Sequence, residues 1–343
     1  MIFLLDYFRG QRGGTHALNA LKQDFPNNFH LYFYKTPNMS PLLERIMPPR
    51  WNEVIGLQHI KAYCFDDQVL LSGANLSHDY FTNRQDRYLF FHDPSLASYY
   101  HNLIQNISEF SLYMKNSNTL VPGSHPYHSA AEKMKHLHQI ESSSTQISIN
   151  SILEDSRDLI IPRVQMGLMG VTQEEDLISA LFQSLTKEHR VFISSAYLNF
   201  PRVYQKLLVR CPCPVQILTS SPEANGFFGA KNVSGKLPDA YAYLEQLLVR
   251  RLRRHRKNNI EFLEYKRPDW TFHAKGIWID LPEQKGIITT IGSSNFNSRS
   301  LYRDIEAQAF LVAKSPALMD AIKKVCFTIN HLFRIATHCS IPR

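Results

Sequence analysis

The stretch GLQHIKAYCFDDQVLLSGAN, residues 56–75, has its spacing repeated in HAKGIWIDLPEQKGIITTIGSSN, residues 273–295. Each copy reads His-x-Lys with an aspartate five positions after the lysine: His59, Lys61 and Asp66, then His273, Lys275 and Asp280. Each continues through an apolar segment into a turn holding glycine and asparagine, Gly73-Ala74-Asn75 and Gly292-Ser293-Ser294-Asn295. Eleven residues beyond Asn75 and Asn295 stand Asp86 and Glu306. One match would mean little in a chain with 15 histidines, but the same residue types in the same order twice point to an internal duplication. On extended backbone, side chains two apart share a face, so each copy presents an imidazole and an ammonium together.

The flanks repeat as well. Ile2–Phe8 reads as a buried strand, Thr15–Lys22 as a helix and Phe29–Tyr34 as a strand. Val69–Leu71 and Tyr88–Phe91 read as strands and Leu96–Ile107 as a helix. From Lys115 to Asp158 the pattern fades, apart from helical spacing at His128–Gln139. Thr172–His189 then reads as a helix, opened by a capping box between Thr172 and Glu175. Strand Val191–Tyr197, helix Val203–Val209, strand Val215–Thr219, helix Ala240–Arg256 and strand Ile260–Tyr265 follow. Strands Ile287–Ile291 and Ala307–Leu311 and helix Pro316–Phe327 close the pattern.

Ile2–Phe8 corresponds to Val215–Thr219, Val69–Leu71 to Ile287–Ile291, and Leu96–Ile107 to Pro316–Phe327. The expected fold is α/β: duplicated lobes, each a mixed β-sheet flanked by helices, with the active site between them. The divisions are residues 1–114, an inter-lobe segment 115–158, and 159–343. The second half has a strand and helix, Val191–Val209, with no counterpart ahead of Ile2. The first lobe is therefore expected to be truncated at its N-terminus, with one edge of the Ile2 strand uncovered.

Composition narrows the partners. The 343 residues, 44% hydrophobic and 20% charged, allow a sizeable core and exclude a disordered or collagen-like chain. Lys and Arg number 38 against 30 Asp and Glu, a net charge of +8 that favours an anionic partner. Cys64, Cys211, Cys213, Cys326 and Cys339 fit neither a disulfide framework nor a zinc cluster, and read as reduced thiols. No apolar run reaches the roughly 18–20 residues of a membrane span, so no transmembrane span is expected. The opening MIFLLDYFRG lacks the basic start of a signal peptide.

The duplicated set has a definite chemical use. Two histidines can flank one phosphorus, one attacking it to form a phosphohistidine, the other protonating the leaving oxygen and then activating the acceptor hydroxyl. Lys61, Lys275, Asn75 and Asn295 are placed to hold the non-bridging oxygens, and Asp86 and Glu306 to orient the imidazoles through their second nitrogens. Cationic side chains do the neutralising, so the scheme needs no metal and no cofactor.

These motifs resemble the phospholipase D superfamily, whose mark is the duplicated His-Lys-Asp motif with its trailing G-S-x-N-type turn. Gly56–Phe91, Ser221–Tyr241 and Asp269–Gly276 are similar to its phosphatidyltransferases that form phosphatidylglycerophosphate. The likeness spans nearly all the chain, least well at His125–Asp158, and departs from that family at Asp269, where glycine commonly precedes the tryptophan. The resemblance implies CDP-diacylglycerol as donor and sn-glycerol 3-phosphate as acceptor, with CMP released, on the way to phosphatidylglycerol and cardiolipin. It implies a place on the inner mitochondrial membrane as a peripheral protein. It carries catalytic roles to His59, Lys61, Asp66, His273, Lys275 and Asp280, with the two aspartates holding their loops. His59 is assigned as nucleophile and His273 as general acid by analogy alone, since the two motifs are symmetric in sequence. Another enzyme of the superfamily (a cardiolipin synthase, a lipid phosphodiesterase or a nuclease) and an inactive fragment of a phosphatidylglycerophosphate-forming transferase remain open.

Further basic and aromatic residues fall beside these motifs. Arg84 and Arg87 flank Asp86, and Arg9 and Arg12 follow the Ile2 strand; these four are candidates for substrate phosphate, with an ion pair to Asp86 the plainer reading of Arg84 and Arg87. Arg299 and Arg303 hold similar places beside Glu306. Arg250, Arg251, Arg253, Arg254, Arg256 and Lys257 form the densest basic run, opposite Leu244, Leu247, Leu248 and Leu252. The run fits a solvated helix end and an anionic membrane surface equally. Nucleic acid is not expected, because no aromatic residues interleave the basic ones. Phe227-Phe228 and Tyr80-Phe81 suit lipid contact or core packing alike.

Overall fold

The computed structural model describes residues 1–11, 15–47, 55–116, 119–124, 155–330 and 333–335, with Glu132, Met134, Lys135 and Ile152. The first lobe supplies β1 (Ile2–Asp6), α1 (Tyr7–Gly10), α2 (Thr15–Asp24), β2 (His30–Tyr34), α3 (Pro41–Ile46), β3 (Ala62–Phe65) and β4 (Gln68–Ser72). It continues with β5 (Arg84–Gln85), β6 (Tyr88–His92), α4 (Pro94–Glu109), β7 (Leu112–Asn116) and β8 (Thr119–Val121). These last two strands carry the first lobe's sheet beyond residue 114.

The second lobe opens with β9 (Leu159–Met166), β10 (Val171–Thr172), α5 (Gln173–Ser184), β11 (Arg190–Ser194), α6 (Arg202–Arg210) and β12 (Val215–Ser220). It closes with α7 (Leu237–Arg254), β13 (Ile260–Tyr265), β14 (Thr271–Phe272), β15 (Gly276–Asp280), β16 (Ile287–Gly292), α8 (Ser298–Tyr302), β17 (Ile305–Ala313), α9 (Pro316–Asn330) and β18 (Phe333–Ile335).

The duplication is visible in strand pairing. β1 lies parallel to β2 and β2 antiparallel to β7, as β12 lies parallel to β13 and β13 antiparallel to β18. The antiparallel set β3-β4-β6 matches β15-β16-β17. In the second lobe β11 joins the two groups, pairing antiparallel with β15 and parallel with β12, which yields a nine-stranded mixed sheet. Among the described residues no strand takes that place in the first lobe. Its sheet is divided into β1-β2-β7-β8 and β3-β4-β6, in place of the single mixed sheet expected, and among the described residues β1 is paired on one side only.

Helix α4 bridges this division. Asp93 caps it by accepting from the Leu96 amide at 2.8 Å, and Pro94 follows at the first helical position. Leu96, Tyr100, Leu103 and Ile107 then form one apolar stripe, packed with Tyr34, Val69 and Leu71 from both small sheets. Burial of each such side chain is worth about 1.5–3 kcal/mol. The same cluster takes in Val164, Met166, Ile305, Ala307 and Ala309, so the two lobes share a core. On β17 the next residues, Phe310 and Val312, enter a second cluster with Leu177 and Leu181 of α5 and Tyr204 and Leu208 of α6. Every residue of β17 is buried, the polar Glu306 and Gln308 included.

Three local expectations are corrected. The Thr172 side chain makes no capping bond; its hydroxyl donates to Asp176 at 2.9 Å, and Gln165 Oε1 receives the Glu175 amide. The helix expected to reach His189 ends at Ser184, and the strand expected to reach Tyr197 ends at Ser194. Ser195 leaves the ladder and donates its hydroxyl to the Asn295 carbonyl at 2.8 Å. The helix expected at His128–Gln139 falls mostly outside the described residues. Cys64, Cys211, Cys213 and Cys326 are free thiols. Among the described residues, no helix is long and apolar enough to cross a membrane.

Candidate active site

Each His-x-Lys segment is an extended connection leading into a strand, β3 or β15. Backbone hydrogen bonds dock each segment on the opposite half of the chain. The His59 amide donates to the Ile305 carbonyl at 2.9 Å, and the His273 amide donates to the Gln85 carbonyl at 2.8 Å. Parallel contacts extend both dockings, Gln58 with Ile305 and β14 with β5. The residue after each accepting carbonyl is the carboxylate. His59 Nδ1 therefore lies 3.0 and 2.9 Å from the two oxygens of Glu306, and His273 Nδ1 lies 2.7 Å from Asp86 Oδ2. The pairing is crossed, each half supplying the carboxylate that holds the other half's imidazole.

The surroundings then differ. Glu306 also accepts the hydroxyls of Ser293 and Ser300. Asp86 accepts the Arg87 amide at 2.8 Å and stands 3.7 Å from Lys275 Nζ. Lys61 Nζ donates to the His59 carbonyl at 2.6 Å, whereas Lys275 Nζ donates to the Gly73 carbonyl at 3.2 Å. A Cβ on Gly73 would stand 2.7 Å from Lys275 Cδ and Nζ, so the lysine occupies the space that Ser293 fills in the other half. The rings of Tyr80 and Tyr197 meet His273 edge-on, with centroids 5.1 and 5.6 Å away, and Asn75 Nδ2 donates to the Tyr80 hydroxyl at 3.1 Å.

Burial decides the charge states. His273 is pushed down to about 3 by burial and by Lys275, against the pull of Asp86. His59 is held well below the usual histidine range by burial and by Lys61. Both imidazoles are thus neutral at neutral pH. Lys275 Nζ lies 2.8 Å from His273 Nδ1, where it competes with Asp86. Burial pushes Asp86 up, but Lys275 and the His273 hydrogen bond hold it below the ordinary carboxylate range, and an ionised Asp86 selects Nδ1–H as donor. Nε2 then carries the lone pair. Burial raises Glu306, against Lys61 and the two serine hydroxyls, and lowers both lysines, Lys61 far below its ordinary value.

The expected residues separate into those the fold gathers and those it does not. His59, Lys61, His273, Lys275, Asp86 and Glu306 converge, and the side chains of all six are buried. Asn295 is buried beside them, with an Oδ1 that has no hydrogen-bond partner among the described residues. Asp66 and Asp280 are exposed, each about 16 Å along its strand from the motif lysine. Asp66 occupies the β3–β4 turn with φ 49°. Arg87 is turned into the protein: its guanidinium is buried 4.1 Å over Trp278 and donates to the carbonyls of Lys275 and Thr290, and among the described residues it makes no ion pair with Asp86. Arg84 stays at the mouth, over the Tyr80 ring, with Nε donating to Thr271 Oγ1 at 2.9 Å. Arg9 lies near enough to lower His59 and Lys61. Arg12 lies outside the described residues. Arg299 pairs with Asp304 at 3.1 Å.

Sequence reading missed Ser293, Ser300, Tyr80 and Tyr197 as parts of the site. Ser293 had a signal, its place in the G-S-x-N turn; Tyr197 had none. Among the described residues, no three His, Cys, Asp or Glu side chains gather to hold a metal ion.

The family model described as "Cardiolipin synthase, PLD-like domain" matches residues 181–326. A mitochondrial CDP-diacylglycerol–glycerol-3-phosphate 3-phosphatidyltransferase of Gallus gallus is 36% identical over 93% of the chain and 64% of its own length. The enzyme of that name from Saccharomyces pastorianus is 32% identical over 94% of the chain and 69% of its own length. The chain thus spans less than two thirds of the length of the Gallus gallus protein. In fold it is similar to phosphatidylserine synthase of Haemophilus influenzae, with a TM-score of 0.70, 21% identity, and 97% of this chain and 74% of that one covered.

Proposed function

The chain belongs to the CDP-diacylglycerol–glycerol-3-phosphate 3-phosphatidyltransferase family, built on the phospholipase D-like fold, and from that premise we propose that it transfers a phosphatidyl group from CDP-diacylglycerol to sn-glycerol 3-phosphate. The observation that carries this reading is the crossed pairing of His59 with Glu306 and of His273 with Asp86. It leaves two oriented imidazoles, each with Nε2 available for phosphorus chemistry.

In this mechanism neutral His59 attacks the lipid-bearing phosphorus through Nε2. A P–N bond forms, the P–O bond to CMP breaks, and protonated His273 gives its Nε2 proton to the departing CMP oxygen. His273 rests neutral, and the negative diphosphate of the donor raises its proton affinity on binding. Neutral His273 next takes the proton of a primary hydroxyl of glycerol 3-phosphate. That oxygen attacks phosphorus, the P–N bond breaks, and His59 is restored. Lys61, Lys275, Asn75 and Asn295 hold the non-bridging oxygens, where charge accumulates. Arg84 and Arg9, at the mouth, take the acceptor phosphate. Asp66 and Asp280 keep their strand ends in place.

The exposed rings of Phe81 and Phe228, with exposed Leu76, lie beside this mouth and support contact with a membrane surface, and the net charge of +8 supports an anionic one. In each aromatic pair the other ring turns inward, Tyr80 to His273 and Phe227 to Tyr197. The name of the Gallus gallus relative supports a mitochondrial place, and the proposed substrates put it at the inner membrane as a peripheral protein. The two lobes of the proposal follow the expected division, with the first extended to Val121.

The test is CMP release from CDP-diacylglycerol by the purified chain, with and without glycerol 3-phosphate. Release that depends on glycerol 3-phosphate and yields phosphatidylglycerophosphate is expected. Equal release with water alone, giving phosphatidate, would overturn transfer in favour of hydrolysis; a requirement for phosphatidylglycerol as acceptor would overturn it in favour of cardiolipin formation.

A further inference from the structure

A cleft of about 280 Å³ lies in the second lobe between the segment after β11 and helices α6 and α7. Leu198, Phe200, Leu244, Leu247 and Leu248 line it with the amides Asn199 and Gln205, and its rim carries Arg251 and Arg254. The two arginines stand three apart on α7, so they project from one side of the helix. The cleft has no carboxylate in its lining. The Nε of Arg251 is buried and has no hydrogen-bond partner among the described residues. A buried guanidinium nitrogen in that condition calls for an acceptor, and an oxyanion suits the planar fork of donors best. Below the rim the contact offered is mostly apolar, from five of the seven remaining lining residues, the other two being the amides Asn199 and Gln205. At the edge of the cleft Leu247 is 40% exposed, and one turn before it on α7 Tyr243 is 57% exposed, which extends the apolar surface outward. Cation above, hydrocarbon below, and an apolar path leading out match an amphiphile whose phosphate sits at one end of two chains.

We propose that this cleft binds an anionic glycerophospholipid at a site separate from the reaction centre, its phosphate between Arg251 and Arg254 and its first acyl carbons on Leu198, Leu244 and Leu247. The volume suits a headgroup and the carbons next to it, with the remaining chain lying along Tyr243 and Leu247. Ring contacts run from the helix that borders the cleft to the reaction centre. Tyr241 of α7 packs on Tyr197 at 5.3 Å, and Tyr197 packs on His273 at 5.6 Å.

The experiment is crosslinking of the full chain with a short-chain phosphatidylglycerol bearing a diazirine on its acyl group, followed by peptide mapping. Labelling needs no turnover, so the result stands or falls apart from the proposed reaction. Label is expected on the peptide covering residues 243–254, displaced by unlabelled phosphatidylglycerol and not by phosphatidylcholine. Arg251→Gln and Arg254→Gln should each weaken that displacement about fivefold. Arg254 is exposed, so R254Q carries the test if R251Q does not fold. Three results would overturn the proposal: label confined to residues 75–84 and 226–229, displacement unchanged in both variants, or displacement by glycerol 1-phosphate as effective as by the lipid. The last would assign the cleft to a free phosphate ester.

Discussion

Glu306 stands 2.9 Å from Nδ1 of His59, a residue of the opposite lobe, and 247 positions separate the two in the chain. The bond is prepared one residue earlier, where the Ile305 carbonyl receives the His59 amide. Asp86 and His273 repeat the arrangement in mirror order. Orientation of each imidazole is therefore a property of the assembled pair of lobes.

Glu306→Gln and Asp86→Asn are each expected to lower turnover by up to about 10⁴-fold while leaving the fold intact, because an amide presents the wrong partner to Nδ1. Steady-state CMP release together with a thermal melt checks this. A variant that melts normally and turns over within threefold of the parent would show that the crossed carboxylates are only structural.

His59→Ala should abolish the covalent phosphatidyl-enzyme, and His273→Asn should slow its formation by roughly 10²–10⁴-fold. Acid quenching after brief exposure to CDP-diacylglycerol labelled in its lipid portion reads both. Label mapped to His273 in the parent enzyme would reverse the two roles.

Gly73→Ala should lower turnover at least about tenfold. Its Cβ would meet Lys275 Nζ at 2.7 Å and Asp86 Oδ1 at 2.9 Å, so the ammonium must shift from its place beside His273. The control is Gly229→Ala, where a Cβ has nothing within 4 Å and only the left-handed φ of 69° is strained. Activity of G73A equal to that of G229A would mean that the lysine moves at no cost.

Stability should fall in acid through the buried histidines. His273 titrates at about 3 in the folded chain against 6.5 for an ordinary histidine, so below 6.5 the unfolded chain binds the proton first. The contribution is whole above pH 6.5 and is lost progressively as pH drops towards 3, by up to about 1.4 kcal/mol per pH unit. His59 adds in the same direction. Urea melts between pH 7.5 and 5 check this, and His273→Asn should flatten the dependence. An unchanged slope in that variant would locate the acid sensitivity elsewhere.

The duplicated motif and the carboxylates at Asn75 plus eleven and Asn295 plus eleven were legible without coordinates. Their crossing was not, because the same order is satisfied if each carboxylate serves the histidine of its own half. The choice is made by two backbone hydrogen bonds between segments far apart in the chain, and spacing carries no trace of these. Arg87 could have been placed better: it follows Asp86, and neighbours on extended backbone face opposite ways, so a carboxylate turned into the site turns its neighbour out. β17 concealed its role through burial on both faces. The unmatched Val191–Val209 segment did register the place where the first lobe's sheet divides, although helix α4 as the bridge came only from packing. Asp66 and Asp280 recur as faithfully as the histidines, and recurrence alone does not separate a reacting group from one that closes a turn.

The crossing also orders events during synthesis. A ribosome releases His59 long before residue 306 has been made, and domains of this size begin to fold while the chain is still emerging. Through that interval the first imidazole lacks the partner that fixes its orientation, and Lys61 lacks the counter-charge of Glu306. A nascent chain that ends before residue 306 thus carries an intact first motif whose imidazole, the nucleophile of the proposed mechanism, has no carboxylate partner. Under the proposed mechanism, reactivity towards an activated lipid would switch on only when the distal strand β17 arrives.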